Sequence, residues 1–171
     1  MRIYFDTEFT QFRDGQLLSA GFVSDDDRFL YVEVDEPARR RTASDFCHQY
    51  VLPQFGLFPG CSVGLEVNAA QRIAEWLLSF GTPLTLSYDY KLDWQHLESA
   101  VSAAGLWAAV APRVRSHNIA SDANQDSSLA AQESYFTGHS LPGRHHALID
   151  AYALRERWRH YQLLVQASSE T

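Results

Sequence analysis

The sequence predicts a single α/β domain: a mixed sheet with helices packed against it. Three observations lead there. The chain opens with three segments rich in β-formers separated only by short turns. From about residue 44 onward, stretches of helical and of strand periodicity alternate. No internal repeat, low-complexity tract or long linker divides the 171 residues, so one domain over 1–171 is expected, with its core at about 1–166 and a short polar tail.

The first strand is expected over roughly Ile3–Thr10, "IYFDTEFT", apolar on both faces and therefore central and covered. Asp14-Gly15 is a hairpin signal. "QLLSAGFVS" and "RFLYVEVD" follow as two more strands, joined by the acidic turn Asp25–Asp27, which completes an antiparallel meander. A helix is expected from Ser44 to about Leu52, capped by Thr42 or Ser44 and stopped by Pro53. "GLFPGCSVG" reads as a loop, and "NAAQRIAEWLLSFG" as a helix with Asn68 as N-cap and Gly81 past its end.

"PLTLSYDY" reads as a strand, and "LDWQHLESAVSAAG" as a helix ending at Gly105. "RVRSHNIA" suits a short edge strand, "SDANQDSS" a polar loop, and Leu129–Phe136 a short helix. After the loop "GHSLPGRHH", a last helix runs from near Ala147 to about Val165. Hydrophobic residues make up 46% of the chain, with 4 Trp, 8 Tyr and 10 Phe, enough for the core such a domain needs.

Composition also excludes some functions. The formal net charge is −7, whereas proteins that coat long stretches of nucleic acid carry the opposite sign. Any nucleic-acid contact should therefore be local or bridged by cations. Cys47 and Cys61 lack CxxC spacing and read as two free thiols, not a zinc cage. No run of eighteen apolar residues occurs, so no membrane helix is expected. Arg2, Asp6 and Glu8 interrupt any signal-peptide core, which makes the cytoplasm the expected location.

Within the first strand, Asp6 and Glu8 fall on one face together with Tyr4 and Thr10. Desolvating two like charges so close together is costly unless something positive lies between them. A solvated polar strand face is the simpler account of a D-x-E taken alone. Asp93 stands in the first turn of a helix, where an acid also serves the helix dipole. Asp89, four residues earlier, is a rival for the same role or a strand-end turn residue. Asp150 lies on the apolar stripe Ala147, Ala151, Leu154, Trp158, Tyr161 and Val165 of the last helix, so it too needs a partner.

Metal binding accounts for the four acids together. Asp6, Glu8, Asp93 and Asp150 supply hard oxygen ligands suited to Mg²⁺ or Mn²⁺. Four carboxylates can hold two divalent ions about 3.5–4 Å apart, an arrangement that serves in-line phosphodiester displacement. His145, five positions before Asp150, has a titration range suited to taking a proton from water. A solvated histidine pair beside Gly143 is the simpler account of "HH", and His146 is the rival in register.

"FDTEF", the aspartate after the mid-chain strand, and "HHALIDA" together resemble the three motifs of the DEDD 3′–5′ exonucleases of the His subclass. That family includes proofreading subunits, RNase T and oligoribonuclease. D-x-E is matched by Asp6 and Glu8, and H-x-x-x-x-D by His145 and Asp150. Asp93 takes the place of the middle aspartate. Asp89 stands where the family commonly has Asn, a departure that leaves the middle ligand open between Asp93 and Asp89.

The resemblance spans about residues 3–160 and is nearest to a short bacterial exoribonuclease-like subgroup. It implies a ribonuclease H-like fold, two divalent cations, single-stranded RNA or DNA 3′ ends as partner, and nucleoside 5′-monophosphates as product. It further implies that the main chain near Thr7 and Glu8 holds the terminal nucleotide, beside Phe9, and that a homodimer is expected. Phe9, Phe12, Tyr90 and Trp94 are candidates to stack on a base, although aromatic residues beside a strand more often belong to the core.

Other features carry less. "DANQDSSLAAQE" places Asp122, Asn124, Asp126 and Glu133 at the spacing of an EF-hand loop, but Ser127 replaces the turn glycine. Asp126 or Ser127 as an N-cap is the simpler expectation. Arg39–Arg41 read as a solvated turn, and Arg155, Arg157 and Arg159 as the exposed side of the last helix. A non-catalytic nucleic-acid or nucleotide-binding module, a metal-dependent phosphatase and a two-carboxylate glycosidase remain the rival function classes.

Overall fold

β1 (Arg2–Phe9) turns its side chains alternately to two covered faces, and this sets the layering of the molecule. In the computed structural model, which describes residues 1–137 and 142–169, β1 lies between β2 (Leu17–Ser24) and β5 (Leu84–Tyr88). β3 (Phe29–Val34), β4 (Ser62–Gly64) and β6 (Val114–Asn118) complete a six-stranded sheet in the order β4-β3-β2-β1-β5-β6. β1, β2 and β3 form the expected antiparallel meander, while β5, β6 and β4 add in parallel. β6 is an edge strand, as its sequence suggests. The sequence of β4 suggests a loop. Its backbone pairs with β3 at the other edge, although three residues are too few to show a period.

Ile3, Phe5, Phe22 and Leu86 face α2 (Glu66–Leu78) and α3 (Lys91–Ala103) and form the larger core there. Tyr4 and Val23 face the opposite way and meet Ala151, Leu154 and Trp158 of α6 (Ala147–Ser169). α5 (Asp126–Thr137) packs along α6. Gly105, at φ 74°, ends α3 as expected, with its N–H on the carbonyl of Ser102 at 2.8 Å. Among the described residues no helix is long and apolar enough to cross a membrane.

Several local expectations are corrected. The expected helix 44–52 is a wide helical turn over Cys47–Val51 followed by a tight turn over Leu52–Gln54. An unexpected helix, α1 (Pro37–Thr42), precedes it. Arg39 within α1 is 5% exposed, not solvated: it donates to the Leu17 carbonyl at 2.7 Å and pairs with Glu36 and Glu66. Glu36 in turn accepts from the Glu66 N–H at 3.0 Å, so α2 starts at Glu66 and Asn68 is not its cap.

α5 begins at Asp126, which places Asp126 and Ser127 in its first turn. A continuous helix through Glu133 cannot wrap a calcium ion as an EF-hand loop does. The start of the 138–146 loop lies outside the described residues, as do the last two residues of the tail. α4 (Trp107–Val110) is a further short helix.

Candidate active site

Antiparallel pairing sets Asp6 opposite Gly21 on β2. A Cβ on Gly21 would stand 2.2 Å from the backbone nitrogen of Leu148 and 2.3 Å from its Cα. Only glycine therefore lets the first turn of α6 lie directly on the sheet. This close approach carries Asp150 to the face of β1 that presents Asp6 and Glu8. On the neighbouring strand β5, the chain leaves the sheet at Asp89 and re-enters a helix at Lys91, which brings Asp93 in from the other side.

The four acids and His145 border one cavity of about 340 Å³. Ligand atoms of Glu8, His145 and Asp150 lie within 4.8 Å of one another, and so do those of Asp6, Asp89 and Asp93. These two groups could each hold one cation. Thr7 donates its hydroxyl to Asp93 Oδ1 at 2.9 Å, an orienting contact that the sequence does not announce. Asp93 Oδ2 is buried without a hydrogen-bond partner. Among the described residues, Asp6, Glu8, Asp93 and Asp150 form no ion pair with any arginine or lysine. An orphaned buried carboxylate oxygen amid oxygen donors fits a hard cation.

Asp89 differs from the others: Arg157 reaches it at 3.2 Å. Arg157 is 3% exposed and also donates to the Ala123 carbonyl at 2.8 Å and to Gln132. Arg155, 6% exposed, pairs with Asp27 at 2.6 Å. Arg159 alone of the three stands in the open, against Glu156. The expectation of a solvated arginine face on α6 is thus overturned for Arg155 and Arg157. Arg157 lies seven residues from Asp150, two helical turns along the same face, a signal visible in the sequence.

Electrostatics follow from this crowding. Burial first, then the charges of Asp93 and Asp150, push the Asp6 carboxyl well above its ordinary range. Glu8 moves the same way, through burial and then Asp150. Burial pushes Asp93 up to about 7 against the Thr7 hydrogen bond. Asp150 is pushed up to about 8 by burial, opposed by the His145 N–H and by the charge of Arg144. His145 is moved down by burial and by Arg144, which favours a neutral imidazole able to accept a proton.

The histidine register is clear in the fold. His145 lines the cavity beside Phe46 at 4.8 Å. His146 is 1% exposed, packed on Tyr31 at 4.2 Å, and away from the cavity. Phe9, Phe12 and Tyr90 line the apolar wall. Trp94 does not: it stacks on Tyr88 at 6.0 Å in the core. Phe46 joins the wall from the turn before Cys47, which sequence reasoning missed because nothing local ties residue 46 to residue 6.

No protein-family model matches the chain. No curated protein matches it either.

Proposed function

We propose that this chain is a metal-dependent 3′–5′ exonuclease of the DEDD type on a ribonuclease H-like fold, with single-stranded RNA its preferred substrate. The observation that carries the reading is the convergence of Asp6, Glu8, Asp93 and Asp150, none of them in an ion pair with an arginine or lysine among the described residues, with Asp93 Oδ2 left orphaned. The six-stranded mixed sheet, its first strand central and bearing two of the acids, is compatible with that fold. The RNA preference rests on the resemblance to the exoribonuclease-like subgroup.

Asp6, Glu8, Asp93 and Asp150 would hold two divalent cations, Mg²⁺ or Mn²⁺. When bound, such a pair supplies Lewis-acid stabilisation of the charge that develops on the phosphoryl group. The apolar wall of Phe9, Phe12, Phe46 and Tyr90 takes the 3′-terminal base. His145 accepts the proton of the attacking water. Water oxygen bonds to phosphorus, the bond from phosphorus to the upstream 3′-oxygen breaks, that oxygen takes a proton from solvent to become the new 3′-hydroxyl, and a nucleoside 5′-monophosphate departs. The overall negative charge agrees with this arrangement, because cations, not a basic surface, meet the phosphate.

The test uses 5′-labelled single-stranded RNA and DNA of one sequence, incubated with Mn²⁺, with Mg²⁺ and with a chelator. The expected result is a ladder shortened from the 3′ end, faster on RNA and abolished by the chelator. Loss of terminal phosphate from an otherwise intact strand would instead identify a phosphatase. Unchanged substrate in every lane would point to a binding module.

A further inference from the structure

The acid cluster opens on two sides. Beyond the apolar cavity lies a second of about 200 Å³, and the two share Asp6, His145 and Asp150. Its remaining walls are Asp89, Gln132, Phe136, Leu154 and Arg144. Arg144 is the only arginine or lysine among the described residues that line either cavity. Its guanidinium lies over the Phe136 ring at 4.6 Å and pairs with Glu133, one helical turn before Thr137 on α5. Both partners of that pair are largely exposed, 48% and 62%. The pair is therefore weak and exchangeable. The other acid on this side, Asp89, is already offset by Arg157.

Building on the exonuclease reading, we propose that Arg144 grips the phosphate one step upstream of the scissile bond, and that Glu133 competes for it. The scissile phosphate must lie on the shared acids, with the terminal base in the apolar cavity. The upstream strand then leaves on the opposite side, past Arg144. A phosphodiester offers the guanidinium fork two oxygens just as a carboxylate does. One already anchored through the scissile phosphate and the terminal base meets Arg144 at a higher effective concentration than the exposed Glu133 carboxylate. Phe136 holds the guanidinium in place from one face. Arg144 is thus a binding residue for the phosphodiester chain and distinguishes substrates by the presence of that upstream phosphate.

The test compares a 5′-phosphorylated dinucleotide with the same dinucleotide bearing a 5′-hydroxyl. The scissile phosphodiester and the leaving 3′-oxygen are the same in both, and only the first carries the upstream phosphate. Wild type should show a KM about tenfold lower for the phosphorylated form at similar kcat, as expected for one charge-assisted contact. Arg144→Gln should bring the ratio of the two KM values close to one. Glu133→Gln, which removes the competitor, should widen the ratio two- to threefold. Equal KM values for the two forms in wild type, or a ratio unmoved by Arg144→Gln, would overturn the inference while leaving the exonuclease reading intact. Failure of wild type to cleave either dinucleotide or any longer strand would overturn both.

Discussion

The backbone N–H of His145 donates to Asp150 Oδ2 at 2.9 Å, so one hydrogen bond joins the proposed base to a proposed metal ligand five residues on. His145 adopts φ 65°, in the left-handed region. Histidine enters that region more readily than most residues. The conformation lets its N–H cap the acid at the start of α6 while the imidazole projects into the cavity. Position and chemistry are thereby carried by different atoms of one residue.

That division separates two variants. Asparagine is at home at positive φ, so His145→Asn should keep the N–H bond and the response to metal while lowering kcat by about 10²–10⁴, the usual worth of a general base. Asp150→Asn should lose both activity and the thermal shift that Mn²⁺ produces. Steady-state kinetics beside melting curves with and without Mn²⁺ distinguish them. Equal loss of metal response in both variants would contradict the assignment.

The two candidates for the middle ligand should diverge in opposite directions. Asp93→Asn removes an orphaned, crowded charge, so the metal-free protein should melt higher while activity falls about 10³-fold or more. Asp89→Asn leaves the buried Arg157 guanidinium beside a neutral amide, which should cost roughly 1–3 kcal/mol. Its activity should stay within about tenfold of wild type. If Asp89→Asn were the inactive one, the middle ligand would be Asp89.

Stability should depend on pH in a direction set by the raised carboxylates. Asp93, at about 7, and Asp150, at about 8, bind protons in the folded chain over a range where the unfolded chain has released them. Their contribution is fully present below pH ~4 and is lost as pH rises through those values. The metal-free melting temperature should therefore fall between pH 5 and 8.5. Mn²⁺ should restore it, and more at pH 8 than at pH 5.5, because cations bind the deprotonated acids. At a hundredfold excess over its dissociation constant, a ligand adds about 2.7 kcal/mol, several degrees for a chain of this size. A metal shift of the same size at both pH values would count against a carboxylate site.

Gly21→Ala should be among the most damaging substitutions in the sheet. The methyl would overlap the backbone of α6, which has no flexible end to yield. Overpacking of this kind costs about 1–3 kcal/mol or more. Displacing the α6 start also moves Asp150, so activity should fall further than the loss of folded protein accounts for. Circular dichroism melting together with activity per folded molecule measures the two parts.

How much of this was legible beforehand varies with the range of the interaction. Strand alternation in "RIYFDTEF", the hairpin turns and the glycine stop of α3 are local, so they read directly from the chain. The grouping of Asp6, Glu8, Asp93, Asp150 and His145 was suggested by acids at element ends that the core could not otherwise accommodate. The burial of Arg39 was not legible, since besides nearby Glu36 its partners are the Leu17 carbonyl and Glu66, 22 and 27 residues away. Although Arg157 shares a helical face with Asp150, its partners Ala123, Asp89 and Gln132 lie 25 or more residues away. The place of Phe46 at the site, and the bond of the Thr7 hydroxyl to Asp93, likewise arise only through packing.

By itself the sequence determined the sheet-and-helix order and the residues with chemistry to offer, because periodicity, turn residues and unpaired acids act over a few residues of chain. The tertiary structure decided which of two adjacent histidines faces the cavity and which of two aspartates is neutralised by arginine. It also decided that α6 comes close enough at Gly21 to deliver Asp150. His145 takes a left-handed backbone just before α6, and the packing of α6 on β1 and β2 then sets which of the two imidazoles meets the cavity.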